Sequence, residues 1–215
     1  MISLKDYDLI IFDMDGLMFD TEALAENIWL DIFKEHNLTP NKEFLDSIKG
    51  RNIPDSEDFF KLYYNTSISF LTLKEELDKR LEYELRHRGV PLKKGLVESL
   101  DYLKDLNKTL AVASSSNKAL ILANLKDTNL LPYFSYIVSG QDFKQSKPNP
   151  EIFLNVSTHF KIEPSRTIVL EDSKAGIEAA LNAHMQAIWV PDLVKFPVPK
   201  EVIKIDSLLD VLNIK

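Results

Sequence analysis

The sequence predicts an α/β protein, a Rossmann-like parallel sheet core with an all-helical segment inserted after its first strand. Three observations predict it. Leu9-Ile10-Ile11-Phe12 is apolar without polar alternation, the mark of a strand buried on both faces of a parallel sheet. From Gly95 onward, apolar runs rich in β-branched residues alternate with helix-length segments, the pattern of βαβ units with right-handed crossovers. Between these two regions, residues of about 20 to 90 carry only helical signals, so they form an insertion. The expected division is a core of 1–18 and 92–215 around a helical unit of 19–91.

At 215 residues the chain suits one substantial domain carrying a smaller insert. Its content, 45% apolar and 27% charged, is that of a soluble globular protein. A net charge of −7 and the lack of a basic stripe argue against a broad nucleic-acid surface, while leaving room for a local anion site. Lys5, Asp6 and Asp8 stand where a signal peptide needs its apolar region, and no run approaches the roughly 18 apolar residues of a membrane span. The absence of cysteine excludes disulfides, thiolate catalysis and Cys-based zinc sites, and is compatible with a reducing compartment. The expectation is a cytoplasmic monomer that binds a small molecule, with neither nucleic acid nor membrane as partner.

Taken in order, the apolar run at Leu9 is the first strand. Helices are expected at Thr21 to Leu38 and Lys42 to Ile48, with Thr39-Pro40-Asn41 between them and a loop at Lys49 to Pro54. Phe59, Phe60, Tyr63, Tyr64 and Phe70 form an aromatic stretch read as the core of a small helical unit. A charged helix follows from about Leu73 to Arg88, closed by Gly89-Val90-Pro91. In the second region, strands are expected at 109–113, 136–139, 167–170 and 187–190, with helices at 96–106, 118–128, 151–160 and 175–182. A short strand at 202–205 and a helix at 207–212 end the pattern.

The chemistry lies at the strand ends. Asp13 and Asp15 share a side of the extended chain, and Gly16 permits a sharp turn just beyond them. Taken alone, the pair fits either an ordinary polar turn or a site where a divalent cation offsets two like charges. Further polar clusters break the tie. Ser114-Ser115-Ser116-Asn117 ends the second strand, Glu171-Asp172-Ser173 ends the fourth, and Lys147 sits among turn residues in Ser146-Lys147-Pro148-Asn149-Pro150. Each has a bland reading as a cap or a solvated charge. Together they fall on one edge of the sheet, where open α/β sheets bind ligands, and supply the parts needed to hold a metal and a phosphate.

In order and spacing, Asp13-x-Asp15-Gly16-x-x-x-Asp20, Ser114, Lys147-Pro148 and Glu171-Asp172 resemble the four motifs of the haloacid dehalogenase superfamily. The helical insertion after the first motif is similar to that of the branch containing β-phosphoglucomutase and many small-molecule phosphatases. The resemblance implies that Asp13 attacks phosphorus to form an aspartyl-phosphate, and that Asp15 serves as general acid and base. It implies Mg²⁺ held by Asp13, the Asp15 backbone carbonyl and Asp172, with Glu171 direct or through water. Ser114, the Ser115 amide and Lys147 would hold phosphate oxygens. Asp15 is absent from the dehalogenase branch, so its presence favours phosphoryl transfer.

The insertion would act as a cap, with Lys49-Gly50-Arg51 reaching the substrate. In the β-phosphoglucomutase group a cap histidine follows the first motif; here that position is Ala25, which favours a phosphatase over a mutase. A receiver-like binding module also uses an Asp, a hydroxyl and a Lys at strand ends, but has neither the insertion nor the late acidic pair. His36, His87, His159 and His184 receive no role. The expectation is hydrolysis of a small phosphate monoester, a sugar phosphate by resemblance.

Overall fold

The structure, a computed structural model, describes residues 2–48, 51–192 and 195–214. Six parallel strands lie in the order β3-β2-β1-β4-β5-β6. They are β1 (Leu9–Phe12), β2 (Thr109–Ser114), β3 (Tyr136–Ser139), β4 (Thr167–Glu171), β5 (Gln186–Trp189) and β6 (Ile203–Lys204). β1 joins the sheet as expected and lies at its centre: Ile10 lies opposite Leu110 and Ile168, and Phe12 opposite Val112 and Leu170. All four β1 residues are buried.

The insertion after β1 holds α1 (Glu22–Glu35), α2 (Lys42–Ser47), α3 (Ile53–Tyr63) and α4 (Phe70–Arg88). Its interior is aromatic, as expected: Trp29, Phe33, Phe44, Phe60, Tyr64 and Phe70 pack with ring centroids from 4.9 to 6.2 Å apart. The chain then returns through α5 (Leu96–Asp105), α6 (Lys118–Asp127), α7 (Glu151–Phe160) and α8 (Lys174–Asn182). Leu100 of α5 and Ile121 of α6 pack with Ile10 and Phe12 on one sheet face. Phe153 of α7 and Ile177 of α8 pack with Leu9 and Ile11 on the other. Period-two alternation along β1 thus feeds two separate apolar layers.

Where the insertion leaves and rejoins the core, its two connecting segments run side by side. Asp20 N donates to Pro91 O and Lys93 N to Met18 O, both at 2.9 Å. The Lys93 ammonium lies 2.8 Å from Asp20 Oδ1 and 2.6 Å from Asp192 Oδ1, tying this crossing to the end of β5.

Most boundaries fall within a residue or two of expectation, and four differences have a local reason. α1 stops at Glu35 because Asn37 turns into the left-handed region at φ 55°, which asparagine tolerates. α3 occupies a stretch read as loop and aromatics; Asn52 caps it by accepting from Asp55 N at 3.0 Å, and Pro54 sits in its first turn. α4 begins at Phe70, three residues early, because Ser69 Oγ accepts from Thr72 N at 3.1 Å. The last helix is a 3₁₀ segment, Leu208–Asn213, opened by a Ser207–Asp210 capping box. Among the described residues, no helix is long and apolar enough to cross a membrane.

Candidate active site

β1 aims two carboxylates at the carboxyl edge of the sheet. Asp13 continues the ladder, its N–H donating to Leu170 O at 3.0 Å, before Gly16 turns the chain at φ 80°. A Cβ at Gly16 would lie 2.4 Å from Asp172 Oδ2, so this glycine lets the turn after β1 meet the acid that follows β4. Lys147, 2% exposed, enters from the loop before α7. Its Nζ lies 2.5 Å from Asp13 Oδ1, 2.8 Å from Glu171 Oε1 and 3.3 Å from Ala113 O.

Glu171 uses its other oxygen to accept from Ser173 N at 2.7 Å and Ser173 Oγ at 2.9 Å. Ser173 in turn caps α8, accepting from Gly176 N at 3.1 Å. A Cβ at Gly176 would stand 1.7 Å from Glu171 Oε1. The glycine inside this helix therefore makes room for the carboxylate that holds Lys147.

Asp15 is gripped by the loop after β2. Its Oδ2 accepts from Ser116 Oγ at 2.7 Å and from Ser114 Oγ at 3.2 Å, and Ser114 Oγ also accepts from Ser116 N at 3.0 Å. Ser139, buried at the end of β3, braces the loop by donating to Ser116 O at 2.7 Å. The indole of Trp189 donates to Asp172 O at 2.9 Å and so fixes the backbone of the second acidic pair.

Three acids crowd the floor of the site. Oxygens of Asp13, Glu171 and Asp172 all lie within 4.8 Å of one another, and the ammonium of Lys147 is shared between two of these acids. Burial pushes the Asp13 carboxyl up, Lys147 pulls it back, and Glu171 and Asp15 push it further up. Burial also raises Asp15, against the hydroxyls of Ser116 and Ser114. For Lys147 burial acts downward, yet Asp13 and Glu171 keep it above its ordinary range. An oxygen-rich acidic cluster with an acid cradled by a glycine fits a divalent cation.

A cavity of about 180 Å³ lies between this floor and the helical insertion. Asp13, Asp15, Ser115 and Asp172 line it from below, and Ala25, Trp29, Arg51 and Phe70 from above. Of the residues singled out in the sequence, Ser114, Lys147 and Glu171 stand buried behind those lining the floor. Arg51 reaches the cavity while braced by donating from Nε to Ser47 O at 2.8 Å and by lying over the Phe59 ring at 4.6 Å. Lys49 and Gly50 lie outside the described residues. None of the four histidines lines the cavity; His36 pairs with Glu76 and His159 stacks on Tyr136.

Sequence reasoning missed three contributors. Ser116 was one hydroxyl among three in a row, with no local sign that it faces Asp15. Lys74 and Asp78, ion-paired on α4, also line the cavity. Their i, i+4 spacing is that of any solvated helix pair.

A family model described as haloacid dehalogenase-like hydrolase matches residues 10–190. The chain belongs to this family. A phosphorylated carbohydrates phosphatase of Thermotoga maritima is 31% identical over 188 residues, which cover 85% of this chain and 84% of that protein. The fructose-1-phosphate phosphatase YqaB of Escherichia coli is 26% identical over 186 residues, covering 86% and 96%. The fold of this haloacid dehalogenase-like chain is also that of CbbY from Rhodobacter sphaeroides in complex with phosphate, with TM-score 0.80, 19% identity and 95% and 96% of the two chains covered. For a β-phosphoglucomutase of Clostridium difficile the values are 0.78, 23%, 95% and 92%.

Proposed function

We propose that this protein is a Mg²⁺-dependent phosphatase that hydrolyses a small sugar monophosphate through an aspartyl-phosphate on Asp13. The observation that carries the reading is the floor itself, where Asp13 meets the buried Lys147 at 2.5 Å beside an acidic cluster and under a cavity walled by the insertion. The named activities of the Thermotoga maritima and Escherichia coli relatives support a phosphorylated carbohydrate as substrate.

Asp13 attacks phosphorus with a carboxylate oxygen, and the bond from phosphorus to the sugar oxygen breaks. Asp15 gives that oxygen its proton, then takes one from water as the water attacks the aspartyl-phosphate, releasing phosphate and restoring Asp13. Ser116 and Ser114 hold Asp15 for both transfers. The Ser115 amide holds a phosphate oxygen, and Lys147, bound to Asp13, Glu171 and Ala113, supplies positive charge beside the phosphate. Mg²⁺ would be held by Asp13, the Asp15 carbonyl and Asp172, with Glu171 direct or through water, and when bound it offsets the negative charge of floor and ester. Residues 19–91 act as the cap, with Arg51 facing the leaving group. Ala25 puts a methyl group on the cavity wall, so no side chain at that position activates a sugar hydroxyl in place of water.

The test is phosphate release from fructose 1-phosphate, glucose 6-phosphate, phosphoglycolate, a nucleoside monophosphate and an aryl phosphate, with Mg²⁺ and with chelator. β-Glucose 1-phosphate is followed for glucose 6-phosphate in parallel. Chelator-sensitive phosphate release, greatest from sugar esters, is the expected outcome. Isomerised sugar phosphate with little free phosphate makes the enzyme a mutase, and no turnover of any ester removes the reading.

A further inference from the structure

Ser146 and Asp55 are 91 positions apart in the chain, one in the loop that carries Lys147 and the other in the first turn of α3, and the Ser146 hydroxyl donates to Asp55 Oδ2. An aspartate in the first turn of a helix has a bland use, favourable placement against the helix dipole, and that use needs no partner in the core. Here the carboxylate has one. We infer that Asp55 is a positioning residue that fastens the cavity wall of the cap, residues 51–56, to the Lys147 loop.

Both ends of this contact are stiff. On the cap side, Asn52 Oδ1 accepts from Asp55 N at 3.0 Å and Ser56 Oγ donates to Asn52 O at 2.8 Å, with Asn52 and Ser56 buried. Arg51, Asn52, Ile53 and Ser56 of this same segment line the cavity. On the core side, Asn149 N donates to Ser146 O at 2.8 Å, and Asn182 Nδ2 to Pro148 O at 3.0 Å. Ser146 is itself 7% exposed. A hydrogen bond between two braced segments holds their separation, whereas one between floppy loops would not. Lys147 keeps its own contacts to Asp13, Glu171 and Ala113 without Asp55. Losing the fastening therefore loosens the wall that meets the leaving group and leaves the reacting end of the floor in place.

What the wall positions rests on the phosphatase reading; the contact rests on geometry alone. The experiment compares Asp55→Ala, Ser146→Ala, the double variant and Asp55→Asn with the unaltered protein. Kinetics use the sugar phosphate of the panel that is turned over fastest, and amide hydrogen exchange is followed in the metal-free, substrate-free proteins. Each alanine variant is expected to raise KM roughly tenfold with kcat within about twofold, the scale of one hydrogen bond to a charged group. The double variant is expected to be no worse than the worse single one, since both remove the same bond. Asp55→Asn, which still accepts from Ser146, is expected to recover most of the affinity. Amides of α3 should exchange faster in both alanine variants while those of β1 and β4 keep their protection. Unchanged KM, additive losses, or equal protection of α3 would overturn the inference. Should the unaltered protein hydrolyse no ester, the phosphatase reading fails and the exchange data alone decide whether the fastening exists.

Discussion

In the floor of the cavity, Lys147 and Glu171 are each 1% exposed in their side chains and meet at 2.8 Å. In the cap, Arg80 meets Glu35 and Glu76 with side-chain exposures of 34%, 54% and 29%. The two sets of ion pairs look alike on paper and do different things. Removing one partner of a buried pair strands a charge and costs about 3–5 kcal/mol, whereas an exposed pair contributes about 0–1 kcal/mol. The floor is therefore built from charges that depend on one another, and the cap from rings that exclude water. On the proposed reading, chemistry belongs to the first and enclosure to the second.

Asp13→Asn should separate the two most sharply. Turnover is expected to vanish, because an amide cannot form the acyl-phosphate. Yet in chelator the variant should unfold at the same or a higher temperature: Lys147 is not stranded, because Glu171 and an Asn oxygen still accept from it, while burial and the neighbouring acids disfavour the Asp13 charge. Phosphate release and thermal unfolding read the two effects, and a clear drop in the unfolding temperature would break the comparison.

Phe44→Ala probes the cap. Phe44 is fully buried, its ring against those of Phe33, Phe60, Tyr64 and Phe70, so truncation should cost about 3–5 kcal/mol. Hydrogen exchange should rise across α1–α4 and stay unchanged in β1–β5; equal loosening of the sheet would mean that floor and cap share one stability.

Gly176→Ala reverses an ordinary sign. In a helix interior this change usually stabilises by up to about 1 kcal/mol. Here the added methyl meets Glu171, so a loss of about 1–3 kcal/mol is expected, together with lower kcat as the support of Lys147 shifts. The denaturant midpoint and kcat should fall together.

The smallest effect belongs to the cap ion pairs. The His36 hydrogen bond, and then Arg80, holds the Glu76 carboxyl below its ordinary 4.5. A lowered acid adds stability that is present above that value and is lost as pH falls through the folded one. Acid should therefore slightly weaken the cap below pH 4.5, and Glu76→Gln should flatten that part of the profile in thermal unfolding.

Much of the floor was legible because its signals are local. A four-residue apolar run, a turn glycine and polar residues at strand ends can each be read in a short window, and Asp13, Asp15, Ser115 and Asp172 meet at the cavity as those windows suggest. The cap was legible only in outline. Its aromatic core follows from composition, but Asn52, Pro54 and Asp55 together announce a helix that the aromatic stretch obscured. Trp29 and Phe70 proved to be both core and cavity wall, which helical periodicity does not separate.

From the residues alone it followed that β1 would be buried on both faces of a parallel sheet and that the acids, the hydroxyls and the lysine would gather at one edge. Parallel strands joined by right-handed crossovers leave their carboxyl ends no other place to go. Packing is what sets Gly176 against Glu171, turns Ser116 to Asp15 and brings Ser146 to Asp55. Those pairings depend on how layers stack and how close two backbones come, and such distances between remote segments leave no mark in the local pattern of residues.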